Sequence, residues 1–231
     1  MSSRALTGQQ LTVAWQSASL VLGYPGQHLL DRLDLIRRAS HELPDRVGGP
    51  LRRTVERLTG ESLTELEADY VETFDTRRRH NLFLTYFAHG DTRKRGLALL
   101  RFKQTYLESG VVPDDGELPD HLCVVLEYGA TVDHVRGRQL VLDHRAGLEL
   151  LRLSLAEADS RWAGAVESVT ATLPELRGDE MDAVRRLAAD GPPTEEVGLT
   201  PYGTPGFDPG PAPPGQSSPT LLPMPSFPGG R

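Results

Sequence analysis

Residues 70–96 read YVETFDTRRRHNLFLTYFAHGDTRKRG and mix aromatic with charged side chains over a short span. Apolar positions in this stretch recur with helical spacing, at i, i+1, i+4 and i+5, and so mark one face of a helix. These positions are Leu82, Phe83, Tyr86 and Phe87. The pattern predicts a helix that begins near Thr76, with Asp75 as its N-cap. A second helix is expected after Gly90, which would break the first.

Apolar residues recur with helical spacing on both sides of this stretch, over residues 5–190. No segment shows the alternation of apolar and polar residues that a strand would have. The sequence therefore predicts an all-α domain of about nine to ten helices. One of them is expected to carry Leu29 through Ile36 and another to run unbroken from Leu140 to Leu155. Ser62 and Glu65 have the spacing of a capping box at the start of a further helix.

Helix starts are also predicted further along the chain, from capping chemistry. Pro119 suits a first turn, because its missing amide is harmless there. Asp120 in the same turn would be stabilised by the helix dipole. Asp179 is predicted to cap the last helix.

The C-terminal segment has a different composition from the rest of the chain. Residues 191–231 contain 12 of the 18 prolines and 8 of the 23 glycines. Proline lacks the amide donor that helices and central strands need. We therefore expect a folded domain over residues 1–190 and a disordered tail over residues 191–231.

Charge and composition restrict the function classes. The formal net charge is −7, which disfavours nucleic-acid binding and favours a basic partner. The single cysteine, Cys123, excludes a disulfide within the chain and is expected to be a buried, inert thiol in a helix. No signal peptide or membrane-spanning run is recognised. A cytoplasmic protein without membrane insertion is expected.

Catalytic signatures are not recognised in the sequence. There is no HExxH, Walker A, GxSxG or Rossmann-type glycine motif. His41 and Glu42 lack the second histidine that a zinc helix needs. The sequence therefore predicts no enzyme activity, no metal site and no stably bound cofactor.

The sequence allows two interpretations for each of two clusters of polar residues. The arginines 77–79 are either a solvated face, pairing with Asp75 and Glu72, or part of a recognition surface. The segment ELPDHL at 117–122 is either plain helix capping or a helix start that presents amides to a partner.

These two clusters together resemble a known family. Residues 70–96, followed by ELPDHLCVVLEY at 117–128, closely resemble the nitrate reductase delta-subunit chaperones (NarJ type). That family belongs to the TorD-like group of molybdoenzyme maturation chaperones. Glu117, Pro119, Asp120 and His121 match an E-x-P-D-H element of the wider group, and the resemblance covers about residues 8–175.

The resemblance implies a single TorD-like helical domain without catalytic activity. It implies a partner, the apo form of the nitrate reductase alpha subunit, recognised in part through its N-terminal peptide. That client carries the molybdenum cofactor and iron–sulfur clusters, which the chaperone does not keep. The resemblance implies either a monomer or a homodimer, because related chaperones include helix-swapped dimers. The alternatives are a chaperone for another molybdoenzyme and, from a different class, a nucleotide-binding regulatory protein.

A basic amphipathic peptide would suit a groove that combines aromatic and acidic side chains. We expect its arginines to meet carboxylates in the two clusters, and its apolar face to meet their aromatics. The residues predicted to contact the client are Tyr70, Phe74, Asp75, Arg79, His80, Tyr86, His89, Asp91, Arg93, Lys94, Arg95, Glu117, Pro119, Asp120, His121 and Glu127.

Overall fold

The computed structural model describes residues 5–113 and 116–193. Within these ranges the chain forms twelve α-helices and one isolated bridge between two residues, so the all-α prediction is confirmed. The helices are α1 (Gly8–Leu22), α2 (Gln27–Leu30), α3 (Leu33–His41), α4 (Asp45–Leu58), α5 (Leu63–Tyr70), α6 (Leu84–His89), α7 (Arg93–Glu108), α8 (Leu122–Thr131), α9 (His134–Asp143), α10 (Arg145–Glu157), α11 (Ala163–Ala171) and α12 (Gly178–Asp190).

Two predicted helices are each broken in two. The helix expected over Leu29 to Ile36 is divided by a turn at residues 31–32. The long helix expected to Leu155 is interrupted at His144, whose backbone leaves the helical region at φ −113° and ψ 21°. The imidazole Nδ1 of His144 lies 2.9 Å from the carbonyl of Leu140. These two breaks are why the described residues form twelve helices, where about nine to ten were predicted.

The segment after α5 departs most from the prediction. A π-helical turn (Val71–Asp75) and a 3-10 turn (Arg78–His80) follow α5, and the next helix begins only at Leu84. Asp75 is exposed and lies in the π turn, so its prediction as an N-cap near Thr76 was wrong. The backbone just before Leu84 pairs with another segment, so one continuous helix cannot run from Thr76 to Phe87.

That pairing is made with the segment before α8. Phe83 and His121 form an antiparallel bridge. The amide of Leu122 donates to the carbonyl of Leu82 at 2.8 Å, and the amide of Leu84 donates to the carbonyl of Asp120 at 3.0 Å. The two clusters of the sequence thus lie side by side, held by backbone hydrogen bonds.

Two close helix contacts organise the core. α1 packs on α8 and α11, and α4 packs on α3 and α11. A Cβ built on Gly137 of α9 would lie 2.4 Å from Cα of Gly129 in α8, and one on Gly129 would lie 2.4 Å from the ring of Trp15. A Cβ on Gly164 would lie 2.2 Å from the carbonyl of Pro50. Glycine is therefore required at both contacts.

Helix ends show where capping chemistry predicted correctly and where it did not. Ser62 and Glu65 form the predicted capping box at the start of α5. The N-cap of α12 is Arg177, and Asp179 lies inside its first turn, so the prediction of Asp179 as the cap was wrong by two positions. The prediction for the tail, apart from residues 191–193, lies outside the described residues. No helix in the described ranges is long and apolar enough to span a membrane.

Candidate functional site

A groove of about 430 Å³ lies between the end of α1, the α5–π segment, the bridged segment before α6 and the start of α8. Six of its thirteen lining residues are aromatic or aliphatic, and three are carboxylates. The lining residues are Gly23, Tyr24, Tyr70, Phe74, Asp75, Asn81, Leu82, Phe83, Glu117, His121, Cys123, Val124 and Glu127. The groove therefore combines an apolar surface with acidic side chains.

An aromatic cluster forms one wall of the groove. The ring of Tyr70 lies 5.3 Å from that of Tyr24 and 4.6 Å from that of Phe74. Tyr70 and Phe74 each contact the buried ring of Trp162 at 5.5 Å between centroids. The Tyr70 hydroxyl donates to the carbonyl of Leu22 at 2.9 Å. Edge-to-face contacts and this hydrogen bond hold the wall in one arrangement.

The three groove carboxylates, Asp75, Glu117 and Glu127, are exposed. No salt bridge in the described part of the chain engages them, and no lysine or arginine lines the groove. The negative charges of two of these carboxylates affect Tyr70 in the aromatic wall. Burial raises the pKa of the Tyr70 hydroxyl, and the nearby carboxylates of Asp75 and Glu117 raise it further. The groove is therefore suited to a cationic ligand.

His121 lies at the base of the groove as a buried imidazole. Its ring contacts the ring of Phe83 at 5.1 Å. Burial lowers the pKa of His121, and the nearby charges of Glu117 and Asp120 oppose that shift without reversing it. The imidazole is therefore neutral near pH 7 and adds no positive charge to the groove.

Asp120 has a different role from the predicted one. α8 begins only at Leu122, so Asp120 and Pro119 do not form its first turn, and that prediction was wrong. Asp120 is fully buried. Its Oδ2 accepts hydrogen bonds from the amide of Thr85 at 3.1 Å and from the Thr85 hydroxyl at 2.5 Å. It therefore caps α6, a helix 35 residues earlier in the chain.

Arg95 completes the surroundings of Asp120. Its Nη2 lies 3.9 Å from Oδ2 of Asp120 and its Nη1 lies 3.4 Å from Oδ1 of Asp91. The guanidinium stacks over the ring of Phe83 at 5.2 Å and lies 6.0 Å from that of Tyr86. Arg95, Asp120 and Tyr86 do not line the groove, and Arg95 contacts it through the ring of Phe83, which does. Pro119 lies outside the lining as well, and its carbonyl accepts from the Tyr106 hydroxyl at 2.6 Å.

The other predicted contact residues lie elsewhere. Arg79 and His80 line a separate cleft beside the end of α10, and His80 Nδ1 lies 2.8 Å from the carbonyl of Thr73. His89 ends α6, and burial lowers its pKa. Arg93 and Lys94 are exposed at the start of α7. The predicted residues that meet in the groove are Tyr70, Phe74, Asp75, Glu117, His121 and Glu127.

Several groove residues were missed by the sequence reasoning. Tyr24, an aromatic side chain 53% exposed, was not among the predicted contact residues. Leu82 and Phe83 were assigned to a helix face, and Val124 was not among the predicted contact residues. Cys123 was expected to be buried; it is in a helix, but it is half-buried and lines the groove. Burial raises the pKa of its thiol, as expected.

Metal-ligating chemistry is not assembled in the described residues. No group of three or more histidine, cysteine, aspartate or glutamate side chains in residues 5–113 and 116–193 is placed to hold a metal ion.

Several known proteins are similar in sequence to this chain. The family model "Nitrate reductase delta subunit" matches residues 40–167. The "Nitrate reductase-like protein NarX" of Mycobacterium tuberculosis is 40% identical over 170 residues, which cover 72% of this chain but only 25% of that protein. The chain thus spans about a quarter of that relative's length. The "Probable nitrate reductase molybdenum cofactor assembly chaperone NarJ" of Bacillus subtilis is 30% identical over 171 residues, covering 74% of this chain and 92% of the relative.

A solved structure supports the fold. A crystal structure from Archaeoglobus fulgidus, described as a redox enzyme maturation protein, superposes with a TM-score of 0.50 and 19% identity. The match covers 74% of this chain and 95% of that one. At this identity the likeness concerns the fold alone, while the family assignment rests on the sequence matches. The chain belongs to the nitrate reductase delta subunit family, whose relatives include proteins named as nitrate reductase assembly chaperones.

Proposed function

We propose that the chain is a chaperone that binds the apo alpha subunit of respiratory nitrate reductase, in part through the N-terminal peptide of that subunit. Binding supports insertion of the molybdenum cofactor before the enzyme docks at the membrane. The observation that supports this role most directly is the apolar groove with three exposed carboxylates, which lies where the two family-specific clusters are paired.

A basic amphipathic peptide fits this groove chemically. Its apolar face would pack on the wall formed by Tyr70 and Phe74, in the manner of a helix in a groove. Its cationic side chains would meet Asp75, Glu117 and Glu127, which have no salt-bridge partners of their own in the described part of the chain. Ordering the peptide costs part of the interaction energy. The complex would therefore form and release reversibly, as a chaperone requires.

The role needs no chemistry from the chaperone itself. The molybdenum cofactor and iron–sulfur clusters belong to the client, and the chain acts as a binding protein in the cytoplasm. The overall charge of −7 would speed encounter with a basic segment, more than it would strengthen the final complex.

Calorimetry with a peptide of the first ~15–40 residues of the alpha subunit, the length of an amphipathic helix with flanks, tests the proposal. We expect saturable binding. The double variant Asp75→Asn and Glu127→Gln should weaken affinity about fivefold, because exposed charge pairs contribute modestly. This loss should shrink as salt is added.

A matched control removes one exposed acid that lies outside the groove. Glu56→Gln on α4 makes the same chemical change and should leave peptide affinity unchanged. Failure of both the peptide and the apo alpha subunit to bind would overturn the proposal. Equal affinity for the N-terminal peptide of an unrelated molybdoenzyme would favour the alternative client.

A further inference from the structure

A second and larger cleft, of about 1250 Å³, lies between the start of α1, α10, the end of α11 and the segment leading to α12. It shares no lining residue with the groove. Five arginines line it, together with three glutamates. These are Arg46, Arg138, Arg145, Arg152, Arg177, Glu149, Glu167 and Glu175. In a chain of net charge −7, this excess of arginine over glutamate stands out.

A triad on α10, made of the buried Arg145 and Glu149 and the half-buried Arg152, forms the cationic part of the wall. Arg145 and Glu149 are each 7% exposed. Glu149 Oε1 accepts from Arg152 Nε at 2.8 Å and from Arg152 Nη2 at 2.5 Å. Arg145 Nη2 lies 3.9 Å from the other oxygen, Oε2. One carboxylate thus serves two guanidinium groups, and it binds Arg152 more closely.

Arg145 is left incompletely satisfied. Its Nη1 donates to the carbonyl of Thr170 at a long 3.4 Å, and its buried Nε has no hydrogen-bond partner in the described part of the chain. Burial lowers the pKa of Arg145, while Glu149 and then Glu180 oppose that shift. Burying an arginine without full partners is costly unless a further acceptor supplies them.

The other two glutamates of the lining pair with neither Arg145 nor Arg152 in the described residues. Glu167 binds Arg53, which lies outside the lining, at 2.7 Å. Glu175 is exposed to solvent. The cleft is therefore a cationic site with one more guanidinium than its buried carboxylate can serve.

We propose that this cleft binds a small phosphorylated molecule, with the phosphate at Arg145 and Arg152. Guanidinium groups match the geometry of phosphate oxygens and form paired hydrogen bonds with them. The volume of the cleft is far larger than that of a phosphate group. Apolar residues make up the rest of the lining. These include Leu6, Leu11, Leu173, Leu176 and Met181. The ligand therefore carries an apolar organic body beside its phosphate.

Nuclear magnetic resonance of the full chain tests the site with two probes, inorganic phosphate and phenyl phosphate, at constant ionic strength. We expect the arginine Nε–H signals of Arg145 and Arg152 to shift saturably with both probes. Phenyl phosphate should bind more tightly, since its ring adds apolar contact. Equal affinity of the two probes would overturn the assignment of an organic body.

Charge variants separate a built site from general attraction. Arg152→Gln, and Arg138→Gln on the exposed surface, should each weaken phenyl phosphate binding, Arg152→Gln by about tenfold or more. Glu149→Gln should tighten it by removing the competing carboxylate. Arg37→Gln on α3, exposed and paired with Asp34, carries the same charge change outside the cleft and should have no effect.

Two results would contradict a phosphate site in this cleft. Absence of saturable shifts in the unmodified chain would overturn the proposal. So would an equal loss from Arg37→Gln and Arg138→Gln, a comparison that holds even if the buried variants fail to fold. The test uses no client peptide, so its outcome is independent of the proposed chaperone role.

Discussion

Asp120→Ala is expected to lower the free energy of unfolding by about 3–5 kcal/mol, the usual cost of removing one partner from a buried charge pair. The substitution removes the acceptor for the Thr85 amide and hydroxyl. It also removes the carboxylate near the half-buried Arg95. Urea unfolding followed by circular dichroism measures the change.

Two variants identify the cause of this loss. Asp120→Asn keeps an oxygen that can accept from Thr85 and should cost less than Asp120→Ala. Asp91→Ala removes the exposed second partner of Arg95 and should change stability by less than about 1 kcal/mol. If Asp120→Ala were as stable as the unmodified chain, and only peptide binding fell, Asp120 would be a contact residue and not a cap.

Gly137→Val is expected to lower the free energy of unfolding by about 3 kcal/mol or more, at the upper end of overpacking effects. A Cβ at this position would lie 2.4 Å from Cα and 3.0 Å from the amide nitrogen of Gly129. Both are backbone atoms, so no side-chain rotation can relieve the contact. α8 and α9 would have to separate, and the ring of Trp15, which lies against the same point, would lose its packing. Thermal unfolding would show the loss.

Gly96→Ala is a control for adding a Cβ, because nothing lies within 4 Å of a Cβ at this helical position. Glycine is unfavourable in a helix interior, so this substitution should stabilise the chain by about 0.5–1 kcal/mol. Opposite signs at the two glycines would show that close contact decides the effect. A Gly137→Val variant as stable as the unmodified chain would contradict the helix contact.

The fold was predictable as far as local patterns determine it. Ser62 and Glu65 mark the start of α5 because both halves of a capping box are adjacent in sequence. The break at His144 was not predictable, since apolar residues keep helical spacing across it. Asp75 resembles an N-cap locally, but the backbone beyond it pairs with a segment about 40 residues away. No local pattern contains that information.

The candidate site was predicted in part for the same reason. Tyr70 and Phe74 were recognised as aromatics near fixed charges, and they share the groove with Glu117 and Glu127. Tyr24 was missed because it comes from a turn nearly 50 residues earlier, and only the tertiary fold brings it to Tyr70. Asp120 looked like a local cap, whereas it caps a distant helix. The residue types predicted that the site would be aromatic and acidic, and tertiary contacts decided which of these residues line the groove.

The pairing of α1 with α8 and of α4 with α11 bears on synthesis at the ribosome. Each pair joins helices about 100 residues apart, so an emerging N-terminal half has no partner for the faces it must bury. Trp15 is synthesised long before its contact Gly129, and Pro50 long before its contact Gly164. Contacts over such separations slow folding relative to local helical bundles. The nascent chain must therefore remain unaggregated until α11 emerges.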